Sequence, residues 1–431
     1  MLHRLNALLW GPGTLALLLG TGIFLTLRMR FLPWRRLGYA LRSALGREAR
    51  QAGEGGVSPF AALMTALAAS IGTGNIVGVA TALTAGGPGA LVWMELSALF
   101  GMATIFSESY LAVRCRRRDR HGQWVGGPMY VLETAFGRRR GGALGAVFAL
   151  FAVGASLGIG SMTQSNSIAA ALEDTLPVWT VGAVTALLAL AIISGGIRSI
   201  SKAASALVPV MGAVYLAAGL AVILGHWKNL PGCASEMLRC AFSPRAAAGG
   251  AAGWLTAARW GVARGVFSNE AGLGSAGIAA SAADRADPVR QGYISMTGAF
   301  FDTIVICTVT GLAICCSGVL GMADGAALTA LAFQTVLGPW GGRFVALSIV
   351  LFAFATIVGW EYQGEVTFTY LTGGRWRGAY RLLYAFAAFL GAGLELGTVF
   401  ALADICNALM CAPNLLSLLV MSKEAADAEK L

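Results

Sequence analysis

From Ala7 to Met421 the sequence returns repeatedly to apolar runs of about twenty residues, and that recurrence constrains the fold more than any single residue does. At about 1.5 Å per residue, such a run crosses the roughly 30 Å of a bilayer's hydrocarbon as an α-helix. A helix also satisfies its own backbone where no water can. Of 431 residues, 57% are hydrophobic and 12% charged, and the mean hydropathy is +0.70, too apolar for a soluble domain of this length. The expectation is an all-α polytopic membrane protein with no separate soluble domain.

Spans are expected at about 7–27, 59–84, 87–113, 143–170, 178–195, 204–225, 255–281, 290–319, 341–370, 379–396 and 398–421, eleven in all. The first carries its positive cluster after the apolar stretch and has no small-residue cleavage site, so it reads as a retained helix and not a signal peptide. With the N-terminus outside, segments 28–58, 114–142, 196–203, 282–289, 371–381 and the tail are cytoplasmic, and with Arg290 at the edge of the fourth they hold twenty-four of the 31 basic residues. Five stay outside, namely Arg4, Lys228, Arg239, Arg245 and Arg343, while Arg259 and Arg264 fall within a span. This asymmetry predicts an outside N-terminus and a cytoplasmic C-terminus. It explains the formal net charge of +10 without nucleic acid, and it predicts attraction of the inner face to anionic lipid. Eight cysteines are scattered along the chain. Cys233 and Cys240, in the outer loop 226–254, could pair on an oxidising face, although apolar filling is the favoured reading.

With residues 1–58 set aside as an extra helix and a basic loop, the other ten spans divide into 59–225 and 255–421, joined by 226–254 and followed by a tail, 422–431. The first helix of each group carries "SIGTGN" (70–75) or "GVFSNEAGLGS" (265–275), about 13 residues from its start in both cases. Five is odd, so the second group must run through the membrane in the opposite sense. That is an inverted repeat whose discontinuous helices meet at mid-membrane. Gly72, Gly74 and Gly272 relax the helix and free backbone N–H and C=O groups. In hydrocarbon each such orphan costs several kcal/mol unless water, substrate or an ion satisfies it. Freed N–H groups suit a carboxylate and freed carbonyls a monovalent cation. Small residues also serve close helix packing, but two breaks at matching positions favour a zwitterion and cation site.

The chain resembles the alanine or glycine:cation symporters through "IGTGNIVGVATALTAGGPGALVWM" (71–94), "GGPMYVLE" (126–133), "GIGSMTQSNSIA" (158–169), "GGIRSISK" (195–202), "GVARGVFSNEAGLGSAGIA" (261–279), "LFAFATIVGWEYQGE" (351–365) and "ADICNALMCAPNLLSLL" (403–419). The resemblance covers nearly the whole chain. It implies a leucine-transporter-like fold of five plus five inverted helices with one extra N-terminal helix, and sodium-driven uptake of alanine or glycine by a monomer without any cofactor. A proton-coupled or exchange carrier of a related amino acid is the alternative. Carried over by motif, Thr73, Gly74, Asn75, Gln164, Phe267, Ser268, Asn269 and Trp360 would bind substrate, the indole leaving room for little more than a methyl group. Backbone oxygens of Ala68 and Ile71 with the Thr356 hydroxyl would form part of a sodium shell, and no other metal is implied. The family pattern has Ser-Thr where this chain has Ala355-Thr356, which removes one candidate ligand. Gly277 and Ala280, where Pro and His are usual, and Glu361 are further departures.

Charged groups at membrane depth are functional candidates by default. Asp302 coordinates a cation or pairs with Arg264. Glu270 reads as a cap of the reformed half-helix before a substrate group, and Glu108 as an interfacial partner of Arg114. Glu361 and Glu365 share a helix face, placed for a cytoplasmic gate contact, while Asp404 reads equally as a gate residue or a solvated helix end. His3, His121 and His226 lie outside the spans, which argues against a histidine proton relay. An enzyme would need clustered carboxylates for Mg²⁺ or a nucleophile–base pair; no two acids share a short intramembrane motif except Glu361 and Glu365, and no nucleophile–base constellation is visible. Unwound backbone also suits a channel, but two breaks in a one-chain inverted repeat favour alternating access.

Overall fold

The computed structural model describes residues 2–53, 56–242, 253–284, 286–394 and 397–428. Arg245, Arg285, Lys430 and part of the 226–254 loop lie outside the described residues. Within them the chain is mostly helical, with one two-stranded hairpin, Arg117–Arg118 against Trp124–Val125. Six helices are long and apolar enough to cross a membrane: Gly89–Cys115, Pro128–Ala171, Gly196–Gly225, Pro288–Cys316, Pro339–Leu371 and Ala401–Val420. Shorter apolar helices cover Pro12–Arg28, Pro59–Ser70, Val77–Gly86, Val178–Ile193 and Gly325–Leu337.

Local chemistry fixes several starts. Ser58 accepts from the Ala61 N–H through its Oγ at 3.1 Å and is followed by Pro59. Asp287 does the same for Arg290 at 2.8 Å, ahead of Pro288. Both place a capping oxygen before a proline whose missing N–H costs nothing there. Large apolar side chains such as Leu187, Leu188, Leu224, Leu347, Leu382 and Phe386 point outward, as expected where the solvent is lipid.

The helices differ from the expected spans in several places, among them Pro128, where a helix kinked at Gly137 begins and runs on into the span expected from 143. Leu230–Phe242 is a helix inside the expected loop. Cys233 and Cys240 are both free. Seven residues apart on that helix, they are separated by about 10 Å of rise, beyond disulfide reach. Gly325–Leu337 is another helix between spans, and its Thr329 hydroxyl donates to Ile76 O at 3.1 Å. The helix expected from 204 begins at Gly196. The helices around 156–162 and 300–307 widen into π segments, a form concentrated at functional sites.

The segments expected on the cytoplasmic side meet at one end of the molecule. Arg377 bonds Asp119, the Arg116 guanidinium donates to Ala283 O, Arg290 meets Glu48 at 2.7 Å, Arg114 meets Glu424 at 2.9 Å, and Arg381 donates to Ser194 O at 2.9 Å. We call this the basic end. Burial there opposes ionisation of Asp119, but the backbone N–H groups of Gln123 and His121 and the Arg377 guanidinium hold its carboxyl below the usual carboxylate range.

Candidate functional site

Both Gly-containing segments interrupt their helices, and they do so differently. In the first, the helix ends at Ser70 and a single 3₁₀ turn covers Thr73–Asn75 before Val77–Gly86 resumes. The Gly72 N–H turns to Asn75 Oδ1 at 3.0 Å and away from the Ala68 carbonyl, which loses its helical partner. The Thr73 and Gly74 N–H groups donate to no acceptor among the described residues. Only glycine fits at 72, because a Cβ there would lie 2.4 Å from Thr356 Oγ1. The Thr356 hydroxyl itself is 3.5 Å from Ile71 O and donates to Phe352 O at 3.0 Å. Ala68, Ile71 and Thr356 thus lie together.

Asp302 belongs to a second group. Its carboxylate accepts from Asn75 Nδ2 at 2.8 Å, from Ser268 Oγ at 2.8 Å and from Thr303 Oγ1 at 2.7 Å. It is fully buried, and the π segment that carries it turns it between the two broken helices. Asp302 does not pair with Arg264, whose guanidinium stands over the rings of Trp260 and Phe267 in a separate cavity. Asn269 donates to Thr303 Oγ1 at 3.2 Å and accepts from the Ala271 N–H at 3.0 Å, so it braces its own turn.

On the opposite wall, Thr73 Oγ1 donates to Gln164 Oε1 at 3.2 Å, and Gln164 Nε2 donates to Ile159 O at 3.1 Å. Phe267 packs on the backbone of Gly74, where an added Cβ would sit 3.4 Å from its ring. Trp360 is buried against the other π segment, held by Ser156 Oγ donating to its carbonyl at 3.2 Å. A Cβ on Gly160 would come within 2.5 Å of the Trp360 side chain. The first break therefore gathers Thr73, Gly74, Asn75, Gln164, Phe267 and Ser268 around open backbone donors. That chemistry suits a carboxylate.

At the second break the Gly272 and Gly274 donors are taken up from within the protein. Glu270 adopts φ +57°, Gly272 φ +95° and Gly274 φ +85°, a path that frees several N–H groups. Glu108 takes them up. Its Oε1 accepts from Gly272 N at 3.0 Å, Gly274 N at 3.1 Å and Asn414 Nδ2 at 2.6 Å. Asn414 Nδ2 lies 2.9 Å from Gly272 O. Glu270 does not cap backbone: its Oε2 accepts from the Ser275 hydroxyl at 2.5 Å. The Glu108–Arg114 pair expected from sequence is absent. Six residues on a helix rotate the two side chains by about 240°, so Arg114 meets Glu424 instead.

Sequence reading overlooked Thr303, Cys307, Asn414 and Glu95. Asn414 carried a signal, a lone amide inside "CAPNLLSLL". Glu95 carried one too, as an acid in an apolar run, and both its carboxylate oxygens are buried. At the basic end, Glu365 meets Arg381 at 2.5 Å and Arg377 at 3.9 Å, while Glu361 lies 3.9 Å from Arg381.

The sodium:alanine symporter family matches residues 1–430. The sodium/alanine symporter AgcS of Methanococcus maripaludis is 46% identical over 430 residues, 98% of this chain and 94% of its own. The probable sodium/glutamine symporter GlnT of Bacillus subtilis is 36% identical, over 99% of this chain and 88% of its own. Among solved structures, MhsT in complex with L-phenylalanine superimposes with a TM-score of 0.58 over 87% of this chain and 90% of its own. At 16% identity, what the two share is the fold, that of the leucine-transporter-like carriers.

Proposed function

Since the chain belongs to the sodium:alanine symporter family, we propose that it carries alanine or glycine into the cell together with sodium, by alternating access. It is a transporter and not an enzyme. The observation that carries the substrate reading is the pair of N–H groups at Thr73 and Gly74, left without acceptors among the described residues, beside the Thr73, Gln164 and Ser268 side chains. A bound α-carboxylate satisfies those donors. Gln164 and Ser268 offer polar contacts, and Phe267 and Trp360 limit the side chain to a methyl group or a hydrogen.

For sodium we propose the carbonyls of Ala68 and Ile71 with Thr356, and a second contribution from Asp302 through its carboxylate. The freed Ala68 carbonyl and the approach of Thr356 to Ile71 support the first group. Full burial of a carboxylate among neutral donors supports the second. Cation binding then orders the first break, the amino acid completes it, and one helix group rocks against the other.

The wider architecture follows the same reading. Residues 59–225 and 255–421 form two five-helix repeats of opposite orientation, so eleven spans cross a plasma membrane with residues 1–58 as an additional helix and basic loop. The N-terminus is outside, the basic end and tail 422–431 are cytoplasmic, and the working unit is a monomer. The gathering of the arginine-bearing segments at one end supports that orientation.

The test is uptake of labelled alanine and glycine into proteoliposomes at fixed pH, with an inward sodium gradient against an equal potassium gradient. Accumulation only with sodium is expected. Equal uptake with both ions would replace sodium coupling by proton coupling or exchange. The missing hydroxyl at Ala355 gives that outcome its physical basis.

A further inference from the structure

Two spans start at the basic end and finish together at the other. Gly196–Gly225 begins beside Ser194, whose carbonyl accepts from Arg381, and Pro288–Cys316 begins beside the Arg290–Glu48 pair. With 30 and 29 residues, their last turns lie roughly 40 Å from that end. There the chain leaving the first span lies against the end of the second. Asn229 Nδ2 donates to Cys316 O at 2.8 Å, and the Cys233 thiol donates to Cys315 O at 3.3 Å. Terminal carbonyls of one helix, which lack helical partners, are thus capped from the segment around Leu230–Phe242. The Cys316 thiol itself faces that of Cys233, within hydrogen-bonding reach. Cys316 is fully buried and Cys233 partly exposed.

A lone buried cysteine is ordinarily a small apolar filler. This pair differs, because two thiols from separate elements face each other and one of them is open to a reagent. Closing such a pair to the roughly 2 Å of a disulfide takes side-chain rotation and no new contact between helices. The far end of Leu230–Phe242 is already fixed. Trp93 Nε1 donates to Ala241 O at 2.9 Å, and Gly89 lies so close that an added Cβ would sit 2.4 Å from Ala241 N. One short helix therefore bridges Gly89–Cys115, which it touches through Ala241, and Pro288–Cys316, which it touches through Cys233.

We propose that Cys233 and Cys316 are an oxidisable pair that forms a reversible disulfide on the outer side of the membrane. The inference rests on the orientation proposed above, which puts this end on the face where disulfides persist. The oxidant is a small disulfide, RSSR, which meets the partly exposed Cys233 first. The Cys233 sulfur attacks one sulfur of RSSR, forming Cys233–S–S–R, and the departing RS⁻ takes the thiol proton. Cys316 then attacks Cys233 Sγ, the second RS⁻ leaves, and it takes the Cys316 proton. Two protein thiols are oxidised and one RSSR is reduced to two RSH. The new bond closes a loop of about eighty residues, which restricts the unfolded chain and so stabilises the fold. It fastens the bridging helix to the span that bears Asp302.

The test treats the purified protein and spheroplasts that express it with glutathione disulfide, blocks remaining thiols with N-ethylmaleimide, and maps peptides by mass spectrometry without reduction. The peptide holding Cys233 is expected joined to the one holding Cys315 and Cys316, and the link is expected to vanish with dithiothreitol. Cys233→Ser and Cys316→Ala each abolish it, whereas Cys240→Ser and Cys315→Ala keep it. Oxidation raises the melting temperature of the wild type in detergent by about 5 °C and leaves that of Cys233→Ser unchanged. If Cys316→Ala fails to fold, Cys233→Ser and Cys315→Ala carry the comparison. No linked peptide in the purified protein, a link that survives in Cys316→Ala, or glutathione left on Cys233 as the end product overturns the pair and leaves the orientation reading standing. A link that forms in the purified protein but not on spheroplasts overturns the outward placement, and this proposal with it.

Discussion

The two broken helices begin from similar sequence and end with opposite chemistry. Each contains glycines and an asparagine in an apolar run, and each frees backbone donors. At the second break Glu108 accepts from the Gly272 and Gly274 N–H groups, and Asn414 Nδ2 donates to Glu108 and to Gly272 O. At the first, Asn75 closes only the Gly72 N–H, and Thr73 and Gly74 remain open. What distinguishes a binding break from a structural one is therefore the neighbouring helix. Gly89–Cys115 delivers a carboxylate to the second break, whereas Pro339–Leu371 delivers a threonine hydroxyl to the first.

The largest expected effect tests the open break. Asn75→Ala or Gln164→Ala lowers alanine uptake by roughly two orders of magnitude, the loss of two to three buried hydrogen bonds, while the protein still elutes as a folded species in detergent. Wild-type uptake in either variant would remove the first break as the substrate site. The closed break should behave the other way. Glu108→Ala strands the Gly272 and Gly274 N–H groups and the Asn414 amide, at roughly 1–3 kcal/mol each. Its melting temperature in detergent falls by far more than that of Glu108→Gln, which keeps an acceptor.

Glycine replacements sharpen the contrast. Gly274→Ala places a Cβ 2.3 Å from Pro128 Cγ at φ +85°, so it loses stability, with about 1–2 kcal/mol from the left-handed backbone alone. Gly74→Ala meets only ordinary contact, 3.4 Å from Phe267, so thermal stability is retained and transport alone falls. The smallest effect lies at the basic end. The Asp119 carboxyl is held below its ordinary range in the folded chain, so its contribution is fully present above the unfolded carboxylate pKa of about 4 and is lost only as pH falls below that. The melting difference between wild type and Asp119→Asn is therefore flat from pH 8 to pH 5 and shrinks only under stronger acid.

The long helices and both breaks were legible because hydropathy and glycine act locally, through backbone satisfaction in lipid. The gathering of arginine-bearing segments at one end followed from span counting. Leu230–Phe242 and Gly325–Leu337 were not legible as helices: each is only 13 residues long, below the length of a span. The π segments were hidden too, since hydropathy does not distinguish a π turn from an α turn at 156–162 or 300–307. Glu108 was misread for the same reason. Its neighbour in sequence is Arg114, but its partners are Gly272, Gly274 and Asn414, between 164 and 306 residues away, and no single-chain pattern connects them.

The most direct test of the difference between the breaks is hydrogen exchange at peptides covering 71–76 and 271–275, with and without sodium plus alanine. The Thr73 and Gly74 amides should exchange freely in the empty protein and become protected only when both ligands are present, while the Gly272 and Gly274 amides should be protected throughout. Ligand-dependent protection at Gly272 and Gly274, with none at Thr73 and Gly74, would contradict the assignment and make the second break the binding one.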